Sequence, residues 1–410
     1  MKIYPVGGAV RDKLMNKTPQ DTDYVVVGAT PEQMLQAGYK QVGRHFPVFI
    51  NPENGCEYAL ARKEIKTGPK HTDFKFVFDA SITLEEDTLR RDFTCNALIW
   101  DEENGKIIDY HNGQQDIEQK ILRHINSEHF IEDPLRILRM CRFCAQLDFT
   151  PADETLALTT RMVQEGMLEH LSSERIWQEL FKAMQSCHFE KFITTARQCG
   201  ALKAILPEVD KLFDTPERTD YHPEANSGEH VLLCLKNAAD RTPLVKFAVM
   251  LHDIGKIMTP KHILPSHHGH DAAGLPLIRD ICNRLKVPNA FRDFALSACK
   301  NHMKLHLVRK MRPGTLVDFV TAVASSDENT ENFLAVCQAD FFGRKREIPL
   351  PERQNFYDDT AYLKTAAQIV KSIRPADMPD FERLPKDKTF AGRLRNFKID
   401  VLNSKLKKNN

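Results

Sequence analysis

Val6-Gly7-Gly8-Ala9-Val10-Arg11-Asp12, followed after a short loop by Asp21-Thr22-Asp23-Tyr24-Val25-Val26-Val27, is the stretch on which the reading of this chain turns. The apolar run Ile3 to Val6 ends in paired glycines, and Ala9 to Met15 reads as one or two helical turns. Glycines let the backbone come close to a ligand, and the unpaired amides at a helix start favour phosphate oxygens, which makes Gly8 a candidate phosphate contact. Arg11, one turn in, can add a bidentate contact to the same group. Asp21 and Asp23 stand two apart at the head of a β-branched run, so on a strand both carboxylates point to one face. Paired hard oxygen ligands suit Mg2+, which takes its other ligands from water and substrate phosphates. Alone, the glycine pair is an ordinary turn and the Asp-x-Asp a solvated strand end; side by side they fit a nucleotidyltransferase fold.

Outward from there, Thr30 to Arg62 alternates short helix and strand signals. Pro31 to Ala37 reads as a helix closed by Gly38, and Phe46 to Ile50 and Glu57 to Arg62 read as strands. The polar, turn-rich stretch from Lys66 to Glu86 reads as a mobile loop beside the site. Leu89-Arg90-Arg91-Asp92-Phe93-Thr94-Cys95-Asn96-Ala97-Leu98 follows. Arginine forks match phosphate oxygens and asparagine can serve a sugar hydroxyl, so this block suits a triphosphate and its ribose. As a bare pattern it also suits a solvated helix start.

The order Gly-Gly-x-x-Arg-Asp, Asp-x-Asp and Arg-Arg-Asp-x-Thr-x-Asn-Ala resembles the tRNA nucleotidyltransferase and poly(A) polymerase family of the polymerase-β superfamily. The resemblance implies an α/β head of that fold, with Asp21 and Asp23 as catalytic magnesium ligands and Arg91 on the incoming nucleotide.

Further on, Glu132-Asp133-Pro134-Leu135-Arg136-Ile137-Leu138-Arg139 opens a helix, with Pro134 suited to its first turn. Asp133 and Arg136 share a face at a spacing of three, which is equally that of a surface ion pair. Cytosine and adenine each offer an exocyclic amine beside a ring acceptor, so an Asp acceptor next to an Arg donor can serve both bases. Uracil and guanine reverse that order and would leave polar groups unpaired. The stretch matches the family's Glu-Asp-x-x-Arg motif. The match implies that Asp133 and Arg136 form an amino-acid template for CTP and ATP, with Arg139 on nucleotide phosphate or base.

The whole chain sets the limits. Its 410 residues suffice for two to four domains, and Lys+Arg 57 against Asp+Glu 56 leaves a net charge of +1. Nucleic-acid binding must then come from local basic clusters, such as Lys300 to Arg312 or the tail around Lys405 to Lys408, for which a solvated face is the simpler reading. No apolar run reaches membrane-span length and the N-terminus carries no signal-peptide pattern, which points to the cytoplasm. Ten scattered cysteines read as reduced core residues, Cys141 and Cys144 included. Asp153 to Leu206 is helical in pattern. There Ser173 is a candidate cap, and Glu174-Arg175-Ile176 with Glu179 resembles the family's neck motif, to which we assign a supporting role.

A second chemistry lies beyond the neck. Nine of the 16 histidines fall between His222 and His306. His230, then His252-Asp253-Ile254-Gly255-Lys256, then Asp340 form an ordered set that resembles the HD phosphohydrolases. The resemblance implies a metal held by His230, His252, Asp253 and Asp340; nickel, manganese and cobalt all suit such donors. His267, His268 and His270 fit a second metal or a substrate phosphate, and equally a loop with no ligand role.

The expected organisation is an α/β head over 1–140, an all-α neck and body over 141–220, an all-α HD domain over 221–345 and a helical tail over 346–410, after a linker at Pro349 to Pro351. The resemblance implies untemplated addition of CCA to the 3′ end of tRNA from CTP and ATP, by a monomer or homodimer. It also implies phosphatase and 2′,3′-cyclic phosphodiesterase activity in the HD domain. Poly(A) addition by a member of the same family is one rival, against which the HD set and the lack of a long basic extension argue. A metal phosphohydrolase whose head only binds RNA is the other, against which the presence of both Asp21 and Asp23 argues.

Overall fold

The computed structural model describes residues 1–19, 21–42, 48–66, 74–77, 80–217, 225–379, 381–383, 387 and 389–409. It divides into two compact units, Met1–Arg175 with Thr194–Ala204, and Ile176–Ile193 with Ile205–Asn410.

The first unit is built on a mixed sheet. Its strands are β1 (Lys2–Val6), β2 (Asp23–Val27), β3 (Lys40–Val42), β4 (Val48–Ile50), β5 (Glu57–Leu60), and beyond a separate hairpin of β6 (Lys63–Lys66) and β7 (Phe74–Val77), β8 (Ile99–Asp101) and β9 (Lys106–Ile108). Among the described residues the sheet runs β3-β4-β5-β2-β1-β8-β9. The pair β1–β2 is antiparallel, with Val6 opposite Asp23, and β2–β5 is parallel. Successive strand residues face opposite ways, and the run Val25-Val26 feeds two cores. Val26 packs with Met34, Phe49 and Leu60, while Val25 packs with Val6, Ile82 and Ile99. Burial on both faces explains why the run is apolar without alternation. The register places the end of β1, the glycine pair and Asp23 at one edge of the central strands.

Two readings need correction here. The stretch from Lys66 to Glu86 is not all loop: β7 lies within it, and the helix Leu84–Leu89 is closed by a capping box of Thr83 with Glu86. Residues 67–73 and 78–79 lie outside the described residues, as do residues 43–47 at the start of the expected Phe46 strand. In the neck, Ser172 rather than Ser173 supplies the cap, its hydroxyl accepting from the Arg175 amide at 3.3 Å.

The second unit is helical. Helix Pro243–Leu251 is buried from Val245 through Leu251, as expected of a helix that is apolar all round, and it ends in His252. Helices Ser227–Asn237, His270–Arg284, Asn289–Asn301 and Asp327–Phe342 share this unit. Pro349 to Pro351 is not a linker. Pro349 caps the helix Leu350–Ser372, whose Leu363 and Ala366 enter one core with Leu316, Phe333 and Leu402.

Candidate active sites

In the first unit an open cavity of about 620 Å³ lies at the sheet edge, lined by seven arginines, three aspartates, both glycines of the opening motif and Asn96. That volume is in the range of small-molecule sites. Gly8, Arg11, Asp23, Arg91, Asp133, Arg136 and Arg139 all line it. Asp21 sits two residues before Asp23, exposed and just ahead of β2. Gly7 must be glycine: its φ is +74°, and a Cβ there would lie 3.3 Å from Arg91 Nη1.

Five of the seven arginines, Arg11, Arg90, Arg91, Arg139 and Arg175, are held by carboxylates. Asp87, almost fully buried, receives Arg90 at 2.8 Å and Arg91 at 3.3 Å. Asp92 receives Arg139 Nε at 2.7 Å through one oxygen, and the Phe93 amide and Asn96 through the other. Burial pushes both carboxyls up, but the neighbouring guanidinium groups win and hold them below the usual carboxylate range. Asp23 behaves oppositely. Its pKa is raised by desolvation, with the like charge of Asp21 adding and Arg91 opposing. A carboxylate pair short of countercharge is what a divalent cation would relieve.

Three expectations change in detail. Arg11 does not point an empty fork at the cavity: it donates to Asp12 at 2.7 Å and to Asn96 Oδ1. Asn96, expected at a sugar hydroxyl, is buried and spends its amide on Arg11 and Asp92. Nor do Asp133 and Arg136 form an ion pair in the bonds seen here. Arg136 donates to the backbone carbonyls of His129 at 2.6 Å and Arg90 at 2.7 Å, and its guanidinium lies 5.8 Å from the Phe130 ring centroid. Asp133 accepts from the Leu135 amide at 3.0 Å and from Arg175 Nη2 at 3.0 and 3.2 Å. Arg175, assigned above to support, thus lines the cavity and holds the Asp133 carboxylate. Its place in the neck motif was the available signal.

In the second unit, His230 from helix Ser227–Asn237, the adjacent His252 and Asp253 after helix Pro243–Leu251, and Asp340 from helix Asp327–Phe342 converge. His230 Nε2 lies 3.1 Å from Asp340 and 3.8 Å from Asp253, and His252 Nε2 lies 3.3 Å from Asp253 and 3.8 Å from Asp340. The arrangement reaches further than the four expected residues. His270 Nε2 is 3.1 Å and His302 Nε2 3.5 Å from Asp253 Oδ1. Each ring turns its Nδ1 to a backbone carbonyl: His230 to Gly343 at 3.0 Å, His252 to Val249 at 2.7 Å, His270 to His267 at 2.8 Å, His302 to Cys299 at 3.0 Å. A ring that donates from Nδ1 presents the Nε2 lone pair, so one tautomer is imposed on all four. The buried Nε2 atoms of His252 and His270 have no hydrogen-bond partner, which fits a cation-binding role.

His267 stands outside this group and bonds Thr259 and the Pro216 carbonyl. His302, read above as part of a basic stretch, is buried instead. Lys256 bridges Asp253 and Glu217, both at 2.7 Å. Gly255 has no room for a side chain, since a Cβ would meet the His270 carbonyl at 2.0 Å. Burial lowers the His252 pKa, yet Asp253 and Asp340 outweigh it and raise it to about 9.

Comparison with known proteins gives three family matches. The Poly A polymerase head domain covers residues 3–123, the probable RNA and SrmB-binding site of polymerase A residues 148–213, and the HD domain residues 228–339. The multifunctional CCA protein of Teredinibacter turnerae is 47% identical over 380 residues, covering 91% of each chain. A solved CCA-adding enzyme in complex with CTP superposes with a TM-score of 0.62 at 20% identity, over 98% of this chain and 87% of that one. The Thermotoga maritima CCA-adding enzyme complexed with tRNA gives 0.60 at 18%, over 100% and 91%. These likenesses bear on the fold: a polymerase-β-like head followed by helical domains, the last with an HD module. Among the described residues no helix is long and apolar enough to cross a membrane.

Proposed function

The chain belongs to the family of multifunctional CCA proteins, and from that membership we propose that it adds CCA to the 3′ end of tRNA, taking CTP and ATP in its arginine-lined cavity. The observation that carries this reading is the meeting of Asp23, Arg91, Asp133 and Arg136 in one cavity. Asp21 and Asp23 are the ligands for Mg2+, which supplies charge neutralisation at the reacting phosphate. The tRNA 3′-oxygen forms a bond to the α-phosphorus, the bond to the β-phosphate oxygen breaks, and pyrophosphate leaves while the hydroxyl proton passes to solvent. Arg91 and Arg139, fixed by Asp87 and Asp92, take the triphosphate charge. Arg136 is pinned through both terminal nitrogens, and Asp133 is held by Arg175, so a base edge meets the pair at a set angle. CTP and ATP complement that pair; UTP and GTP leave it unpaired.

In the second unit, His230, His252, Asp253 and Asp340 hold a transition metal such as Ni2+, with His270 and His302 beside them. Such an ion supplies Lewis acidity toward phosphate oxygens and acidifies water. There we assign hydrolysis of phosphomonoesters and 2′,3′-cyclic phosphates: water oxygen joins phosphorus, a P–O bond to the ribose breaks, and the leaving oxygen takes the proton. Functionally the chain divides into a head over 1–140, a neck and body over 141–220, an HD domain over 221–345 and C-terminal helices beyond, working in the cytoplasm on tRNA.

The direct test is to incubate the protein with magnesium, CTP, ATP and a tRNA lacking its last three nucleotides, then sequence the 3′ ends. CCA ends support the proposal. Oligo(A) tails would make the chain a poly(A) polymerase instead, and unextended tRNA would remove the head activity altogether.

A further inference from the structure

A second cavity, of about 640 Å³, lies in the second unit and belongs to neither site described above. It is lined by His306, Arg309, Phe341, Arg344 and Arg346, with Glu352 and Asp359 on the opposing helix. Several of these charges already hold one another: Arg309 meets Asp359 at 2.6 Å and Arg346 meets Glu352 at 2.6 Å. Arg344 differs. Its guanidinium lies 5.5 Å from the Phe341 ring centroid, and its Nε, like that of Arg346, is buried without a hydrogen-bond partner, but among the described residues Arg344 lacks the carboxylate that Arg346 has in Glu352. A buried guanidinium nitrogen with no acceptor carries a desolvation cost that an anionic oxygen would offset.

The chain path joins this cavity to the histidine cage. Phe341 directly follows Asp340, and Arg344 directly follows Gly343, whose carbonyl fixes His230. The Gly343 amide in turn bonds the Asp340 carbonyl at 3.2 Å, so one helix-ending turn carries both Asp340 and Arg344. Packing leaves no slack there, because a Cβ on Gly343 would meet Cys234 Sγ at 2.4 Å. Burial lowers the pKa of His306 on the cavity wall, and the Asp340 charge opposes that shift. Size and chemistry then indicate the occupant. A free phosphate needs far less space, whereas the volume suits a nucleotide, and Glu352 and Asp359 offer acceptors to ribose hydroxyls beside the arginines.

We propose that this cavity is the docking pocket for the HD centre's substrate, that it takes a phosphate-bearing ribonucleotide end, and that Arg344 is the residue that grips the phosphate. The inference rests on the hydrolytic reading of the HD centre, but its test can be separated from that reading. The full-length, metal-loaded protein is compared with its Arg344→Gln and Arg344→Lys variants, metal content serving as the control for an intact cage. Two readouts are taken: kcat/KM for a 2′,3′-cyclic mononucleotide and for p-nitrophenyl phosphate, and calorimetric binding of a nucleoside 3′-phosphonate, whose C–P bond the enzyme cannot cleave. Losing a charge-assisted contact to the phosphate should cut kcat/KM on both substrates and the phosphonate affinity about tenfold or more in Arg344→Gln, with partial recovery in Arg344→Lys. Unchanged kcat/KM at full metal content, or phosphonate binding that ignores Arg344, overturns the proposal. Arg344-dependent phosphonate binding without turnover of either substrate would support the pocket and sink the hydrolytic reading instead.

Discussion

The arginine cavity and the histidine cage both turn on aspartates, yet they solve opposite electrostatic problems. In the cavity the buried carboxylates Asp87 and Asp92 are saturated by arginine, while the exposed pair Asp21 and Asp23 is left short of positive charge. In the cage the carboxylates Asp253 and Asp340 are themselves buried and ringed by imidazoles whose Nδ1 atoms are tied to the backbone. On the proposed reading the first is a charged cradle that takes a cation together with a polyanionic substrate, and the second offers a set of metal donors on its own. The first would position phosphate and let the metal arrive with it. The second would position the metal and leave the phosphate to the neighbouring pocket.

The largest expected effect follows from the carboxylate pair. Asp23→Asn should lower nucleotide addition by about a thousandfold in a primer-extension assay, since nothing else in the cavity replaces that ligand. It should leave cage metal content untouched, and loss of that metal would mean the two sites are not independent. Next, Asp253→Asn should weaken metal retention by at least about a hundredfold, read by elemental analysis after dialysis, with CCA addition preserved. Arg175→Met should relax base choice rather than abolish addition. Asp133 loses the partner that aims it, and discrimination against UTP should fall about tenfold in competition assays. The smallest effect is a pH dependence. His252 sits at about 9, above its ordinary 6.5. In the metal-free protein its protonated form therefore contributes stability that is full below about pH 6.5 and lost as the pH rises through about 9. Metal uptake must displace that proton, so affinity should fall about tenfold for each pH unit below 9, with about one proton released per ion in calorimetry across buffers.

The same contrast explains what the sequence displayed. Gly8, Asp23, Arg91 and Arg136 were legible because each sits in a short motif whose spacing matters locally. Arg175 was not, because its role depends on a contact to Asp133, 42 residues earlier in the chain. What the sequence did not display at Asn96 is that Arg11 and Asp92 already bind its amide inside the fold, although it still lines the cavity. In the cage, the four residues named by the HD resemblance, His230, His252, Asp253 and Asp340, come together in the fold. His302 was masked by the lysines and arginines around it, and it is buried where helix Asn289–Asn301 passes into the helical segment His302–Lys310. The tail reads as helical in the sequence, but its start at Leu350 reads as a linker, because prolines mark a helix start as readily as a linker.

The measurement that bears most directly on two independent sites in one chain is a complementation assay on a tRNA that lacks CCA and ends in a 2′,3′-cyclic phosphate. Asp21→Ala should unblock the end without extending it, Asp253→Asn should leave it blocked, and a mixture of the two variants should restore CCA ends. If Asp253→Asn alone extends the blocked tRNA as well as the unaltered protein does, or if the mixture fails while each variant keeps its remaining activity, the account of separate centres is contradicted.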